Sequence, residues 1–339
     1  MPTIKKPNQH FDAVLWTGNG PSSQTITGLN FQPDLVWVKN RSSTRKHNAY
    51  DSVRGTSKRL VPDDSAAEDT VAGVTAFNSN GFTVGDEGDV NANTLTFVGW
   101  TWKAGGSSTT VNTSGSISSN VSVNATAGFS IVSYTGNSTS GATIGHGLSA
   151  TPKFVMIKGR SNAYAWIGQH ASLGNTGAIF WSTNDAFTVN SVYWNNTSAN
   201  SSVVTLGNTV SVNESGQTFV AYCWAEVEGF SRFGSYTGNG STDGPFQYTG
   251  FEPRFIMIKR TNASGSWVIF DAARNTNNVT NNTLYPDLVN AEESGVMLID
   301  FVSNGFKLRS STVNEINASG STYVYMAFAE SPFKYSNAR

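Results

Sequence analysis

Two carboxylates, Glu226 and Glu228, bracket Val227, and Glu330 stands at the place further along that matches Glu226. A carboxylate pair held about 5–9 Å apart across a sugar is the machinery of glycoside hydrolysis. Residues two apart on a strand share a face, however, and the earlier matching place carries Ala104. The three acids therefore read as solvated charges, with no catalytic residue among them. The four histidines, His10, His47, His146 and His170, stand at no metal-ligand spacing. No G-x-S-x-G nucleophile elbow accompanies them, so they read as surface or loop histidines. Gly85-Asp86-Glu87-Gly88-Asp89 gathers three carboxylates in one turn. Such oxygens suit a hard cation, but the EF-hand spacing is missing. A solvated acidic turn, with no metal, is the reading.

Two charged groupings remain. Arg41, Arg45, Lys46, Arg54, Lys58 and Arg59 precede the acids Asp63, Asp64, Glu68 and Asp69. Mutual pairing across a long loop, or a subunit interface, explains them better than a phosphate or lipopolysaccharide contact. Asp51 and Arg54 recur as Asp271 and Arg274, each acid twelve residues after a lysine, Lys39 or Lys259. Gln169-His170-Ala171-Ser172-Leu173 replaces the pair between them. The expectation is an Asp–Arg pair that pins a loop. The aromatic residues offer the other chemistry. A pyranose packs its C–H face on a ring while Asn, Asp and Ser bond its hydroxyls, and loops carry such sites. Trp181, Tyr193 and Trp194 lie outside the recurring strands and are the expected exposed, ligand-binding aromatics. Trp37, Trp100, Trp102 and Trp224 sit on strands and are expected in the core.

Those strands belong to a pattern that occurs three times. Leu15-Trp16-Thr17-Gly18-Asn19, Ser133-Tyr134-Thr135-Gly136-Asn137 and Ser235-Tyr236-Thr237-Gly238-Asn239 open it. A proline and an apolar run ending in lysine follow, at Pro33 to Lys39, Pro152 to Lys158 and Pro253 to Lys259. Phe97 to Trp102, Phe219 to Trp224 and Tyr323 to Phe328 close it. Units of this length exceed a solenoid repeat and match a small domain. Asn80-Gly81 and Asn304-Gly305, between apolar flanks, signal hairpins. Many short strands with frequent turns indicate an all-β chain of three tandem β-sandwich, jelly-roll-like repeats. The division is 1–103, a Gly/Ser/Thr-rich linker at 104–128 whose last part could add an edge strand, 129–229, and 230–339 ending in an arm. Tandem domains are the first arrangement; three units about a pseudo-threefold axis are the second.

Composition agrees. Charged residues are 13% of the chain, so Gly, Ser, Thr and Asn carry the polarity, and these disfavour helices. A net charge of −1 leaves no electrostatic footprint for nucleic acid. No apolar run reaches the ~18 residues of a membrane span, and the first residues lack the apolar region of a secretory signal. Cys223 is the single cysteine, which leaves no intrachain disulfide.

The run Gly28-x-x-Phe31-x-Pro33-Asp34-Leu35-Val36-Trp37-Val38-Lys39, then Tyr50-Asp51-Ser52-Val53-Arg54-Gly55, and the end from Tyr325 to Arg339 resemble a family of repeated β-domains in structural proteins of tailed bacteriophages, many of them marine. The resemblance covers nearly the whole chain. It implies a virion protein, tail-fibre-like, with no catalytic residue and no cofactor to carry over. The expected function is a non-enzymatic, tail-associated adhesin that contacts host-surface glycan. A capsid or tail decoration protein and a glycan depolymerase are the alternatives. Its expected partners are other virion proteins and copies of itself, as a homo-oligomer and most simply a trimer.

Overall fold

The apolar runs after the three prolines form the strands Leu35–Asn40, Pro152–Gly159 and Phe251–Arg260. They belong to a computed structural model that describes residues 3–311 and 313–332. These strands are covered on both faces, which is why they are continuously apolar. Each sits third in an antiparallel row of the same order. The rows are Phe11–Thr17, Thr96–Trp102, Leu35–Asn40, Asn48–Asp51; then Phe129–Thr135, Thr218–Ala225, Pro152–Gly159, Ile167–His170; then Ser231–Thr237, Thr322–Pro332, Phe251–Arg260, Val268–Asp271. Smaller antiparallel sheets flank them, among them Gln24–Thr27 with Gly81–Val84 and Val74–Asn78, and Thr143–Gly145 with Val203–Thr205. Strand makes up 44% of the chain and helix 4%, so the all-β expectation holds. No helix among the described residues is long and apolar enough to cross a membrane.

Alternate side chains of each strand serve different cores. Val36 and Val38 join Trp16, Phe82 and Phe97 in a cluster confined to the first segment. The second segment has its own cluster around Tyr134, Trp194 and Phe219, and the third around Tyr236, Phe301 and Tyr323. The opposite faces meet in one aromatic cluster drawn from all three segments, including Trp37, Trp102, Met156, Trp224, Met257 and Phe328. Trp102 lies 6.1 Å from Trp224 and 5.7 Å from Phe328, centroid to centroid. Trp37, Met156 and Met257 stand opposite Trp100, Tyr222 and Met326 in register, so they hold one equivalent place.

The recurring aromatic-Thr-Gly-Asn has a local cause. The aromatic side chain donates inward: Trp16 Nε1 to Val90 O at 3.1 Å, Tyr134 Oη to Val212 O at 2.6 Å, Tyr236 Oη to Ile316 O at 2.7 Å. The next residues, Asn91, Asn213 and Asn317, are buried and accept the backbone N–H of Asn19, Asn137 and Asn239. A Cβ on Gly18, Gly136 or Gly238 would meet a carbonyl oxygen of that turn at 2.2, 2.3 or 2.4 Å. Only glycine permits the approach. Both Asn-Gly hairpins form, closing at Asn78 opposite Gly81 and Val302 opposite Gly305.

The linker expected at 104–128 is structured, and its last part forms the expected strand, set inside the edge strand Thr110–Asn112. Ser119–Asn124 pairs with Phe129–Thr135, and Thr110–Asn112 adds outside it. Serine hydroxyls fix the backbone: Ser122 Oγ accepts Gly105 N–H at 2.9 Å and donates to Gly106 O at 2.7 Å. Small polar side chains that bond backbone groups order a segment whose composition suggests freedom. Ser331 and Pro332 end the strand Thr322–Pro332. The rest of the expected C-terminal arm, 333–339, lies outside the described residues. Cys223 is fully buried, and burial pushes its thiol up to about 12. It should therefore stay silent to an aromatic disulfide reagent in native buffer and react fully once guanidinium unfolds the chain. Rapid native labelling would contradict this burial.

Candidate functional site

The aromatic trio read as exposed is corrected first. Trp194 is 0% and Trp181 4% exposed, and Tyr193 is half-buried against Phe180. Trp194 fills the core of the second segment, and Trp181 meets Trp37 at 4.6 Å and Trp166 at 5.4 Å in the shared cluster. These loop residues are covered from elsewhere in the chain, which periodicity does not report. The strand tryptophans Trp37, Trp100, Trp102 and Trp224 are buried as expected.

The Asp–Arg pairs do form. Arg54 Nε binds Asp51 Oδ2, and Arg274 Nε lies 2.6 Å from Asp271 Oδ2, with all four side chains inaccessible. Each pair reaches further than its loop. Asp51 accepts Tyr222 Oη at 2.7 Å, and Asp271 accepts Trp100 Nε1 at 2.9 Å. Arg54 bonds Glu68 at 3.0 Å, and Glu68 is forked by Arg160 at 2.9 Å. Arg274 bonds Glu292 at 2.9 Å, and Arg41 forks it at 3.0 and 2.8 Å. Burial alone would raise the Asp271, Glu68 and Glu292 carboxyls. Their guanidinium partners outweigh it, and all three end below the usual carboxylate range. Thus one network joins the first and second segments and its counterpart joins the third and first.

The third junction has neither. His170, Leu173, Phe187, Thr261 and Met326 occupy the corresponding places. Leu173 and Phe187 pack on the shared cluster. The whole network is replaced together, as a half-satisfied buried network is worse than an apolar contact.

Three further bonds run round all junctions in one direction. His47 Nε2 donates to Tyr285 O at 2.9 Å, Trp166 Nε1 to Val61 O at 2.9 Å and Trp267 Nε1 to Phe180 O at 2.6 Å. The buried lysines donate four residues beyond: Lys39 to Val289 O at 2.9 Å, Lys158 to Ser65 O at 3.1 Å and Lys259 to Asn184 O at 3.3 Å. Burial pulls each ammonium down to about 8. Glu292, Glu68 and Phe187 N–H groups bond the carbonyls of Arg41, Arg160 and Thr261 at 2.8, 2.8 and 2.9 Å.

The histidines, expected on the surface or in loops, are a second correction in exposure: His47 and His146 lie in loops and His170 on a strand, and all three are buried. In each, Nδ1 accepts an N–H, so Nε2 carries the proton and donates to a carbonyl. Burial holds His170 down to about 4 despite its bond to Tyr325 O. An unfolded histidine near 6.5 takes up a proton that folded His170 refuses. Stability from this group is therefore present above about pH 6.5 and lost as pH falls towards 4, by about 3 kcal/mol. Burial raises Asp63 and Asp287 to about 6, and their contribution runs the opposite way below that pH. The clean reading is the comparison of His170→Gln with the parent in urea at pH 7 and pH 4.5. The variant should lose less on acidification; parallel losses would mean His170 is protonated in the fold.

Several of the other charges are paired with one another. Lys46 meets Asp64 at 2.7 Å and Arg59 meets Asp69 at 2.6 Å, the mutual pairing expected of the basic stretch. Glu87 caps the turn at Asp89 N–H, and Asp89 meets Arg45 and Arg59 at 3.4 Å. No group of three possible metal ligands occurs among the described residues. Glu226 binds Arg232 at 2.7 Å, and Glu330 binds Arg254 at 3.2 Å. Sequence reading missed Glu68 with Arg160 and Glu292 with Arg41 as extensions of the two pairs, and Tyr222 and Trp100 as donors. A signal existed: Met326, which cannot donate, faces the one segment that lacks the acid.

A family model described as a domain of unknown function (DUF7483) matches residues 6–332. A search of curated proteins found no match.

Proposed function

The chain belongs to the DUF7483 family, and from that premise we propose a non-enzymatic structural protein displayed on a tailed-phage virion, tail-associated and acting as an adhesin. The observation that carries this reading is where the reactive groups are. The Asp51–Arg54–Glu68–Arg160 and Asp271–Arg274–Glu292–Arg41 sets, three lysines and two histidines, His47 and His170, bind one segment of the chain to another. Groups so engaged hold the segments together and are not free to act on a substrate. Of the three carboxylates weighed for a depolymerase, Glu226 and Glu330 are each closed by an arginine, and Glu228 is exposed.

The same bonds support the finer reading of the fold as three tandem β-sandwich repeats about a pseudo-threefold axis. Bonds equivalent in position run from the first segment to the third, the second to the first and the third to the second, which closes a ring. Threefold form, for which a homotrimer was expected, then lies within one chain. Light scattering measures this: about one chain mass of 36.2 kDa supports it, and three times that mass supports the homotrimer. The partners proposed are other virion proteins and a host-surface glycan, with no cofactor and no nucleic acid. A decoration protein is the second reading, because a rigid ring with its charges paired suits a capsid or tail surface equally. Antibody labelling of virions in negative stain decides between them: label on the tail supports the adhesin, label on the head the decoration protein. Release of reducing sugar from host envelope polysaccharide would overturn both.

A further inference from the structure

Among the described residues, the large aromatic side chains left most open to solvent are Phe246 and Tyr248, 44% and 57% exposed. They lie on the strand Phe246–Tyr248, the free edge of a four-stranded sheet with Gly305–Leu308, Glu293–Val302 and Thr280–Thr283. Two residues apart, they share the solvent face, about 7 Å apart along the strand. Register places Phe246 beside Lys307 and Tyr248 beside Gly305. Gly305 has no side chain to stand between the rings, and a Cβ there would meet Phe246 Cε2 at 2.9 Å. The rings therefore lie over a bare floor.

The equivalent edges lack this surface. Their outward places hold Thr25 and Thr27, opposite Thr83 and Gly81, and Thr143 and Gly145, opposite Thr205 and Val203. The edge at Thr143 is already occupied, because Ile117 N–H bonds Thr143 O at 2.9 Å. At the aromatic edge the matching carbonyl, Phe246 O, is capped by Gln247 Nε2 at 2.9 Å. That cap disfavours an added strand, so an occupant must use the rings. The rim beside them is polar. Lys307 pairs with Asp243 at 2.7 Å and Arg309 with Asp300 at 2.5 Å. Two cations closed by two acids leave no net charge, while their outer donors and acceptors remain set for hydroxyl groups.

We infer that Phe246 and Tyr248 form a stacking platform for a neutral oligosaccharide, with Asp243, Lys307, Asp300 and Arg309 as its hydrogen-bonding rim. This rests on the adhesin reading and moves its binding surface from the second segment to the third. The test is an array of neutral hexose oligosaccharides, including maltohexaose, cellohexaose and mannohexaose, probed with the full chain. Affinities of the hits are then measured by calorimetry for the parent, Phe246→Ala and Tyr248→Ala. Each variant should keep the parent's melting temperature, since both rings are exposed, and lose about tenfold in affinity. Undiminished binding by both variants would overturn the platform and leave the adhesin reading standing on another surface. Parent binding to no neutral glycan would overturn the platform, and tail labelling of virions would then judge the adhesin reading separately. Self-association of the parent that either variant abolishes would also overturn it, by making the rings a protein contact.

Discussion

Arg54→Leu should destabilise the protein by about 3–5 kcal/mol, because it leaves Asp51 and Glu68 buried without their shared cation. Both side chains of the Arg54–Asp51 pair are wholly inaccessible, so water cannot take the guanidinium's place. Leucine is also what the third junction carries there, as Leu173. The substitution is therefore sterically familiar and electrostatically wrong. Importing the rest of that junction corrects the fault. Asp51→His, Arg54→Leu, Glu68→Phe, Arg160→Thr and Tyr222→Met together remove every charge of the network, and most of the lost stability should return. Urea unfolding of the parent, the single variant and the fivefold variant measures this. A single-variant loss below about 1 kcal/mol would mean the network contributes little beyond an exposed ion pair. A fivefold variant worse than the single one would mean that the two kinds of junction differ in backbone as well as in side chains.

Their distribution has a physical logic. A buried ionic network is a poor source of stability and a good source of register, since wrong pairings strand charges. The first and third segments have no direct chain connection, and the first and second are joined through 104–128. Between the second and third only a few residues separate the strands Thr218–Ala225 and Ser231–Thr237. Where so short a connection already sets the mutual placement, the junction is apolar; elsewhere the network sets it.

Trp37→Ala should cost about 3–5 kcal/mol. The indole packs 5.1 Å from Trp100 and 4.6 Å from Trp181, edge to face, at the meeting of the first and second segments. Its N–H also donates to His47 Nδ1 at 3.0 Å, and His47 holds Tyr285 of the third segment. Truncation therefore opens a cavity and frees a ring whose tautomer sets a junction bond. Leu15→Ala, at a partly exposed place on the edge strand Phe11–Thr17 of the same row, should stay within about 0.5 kcal/mol and serves as the control. Calorimetry of both variants checks the pair. A small loss at Trp37 would mean that the shared cluster adds little to the cores of the separate segments.

What was legible in the sequence was local. Continuous apolar runs after Pro33, Pro152 and Pro253 became the covered strands, and the Asn-Gly pairs became tight hairpins. The Asp51–Arg54 and Asp271–Arg274 spacing became ion pairs, because both partners lie within one turn. Each of these is decided by bonds between near neighbours, so periodicity and spacing carry them. The exposure of Trp181, Trp194, His47 and His170 was decided elsewhere. An irregular segment has no period to mark its buried side, and its cover comes from residues far along the chain, as Trp37 covers Trp181 and Tyr325 receives His170. The same holds for Asp51. Sequence spacing supplies Arg54, but only the folded chain brings Tyr222 to the second lone pair, because that bond spans 171 residues. Local chemistry chose the strands and turns; which polar groups lost water, and so had to find partners, was settled by how the segments close on one another.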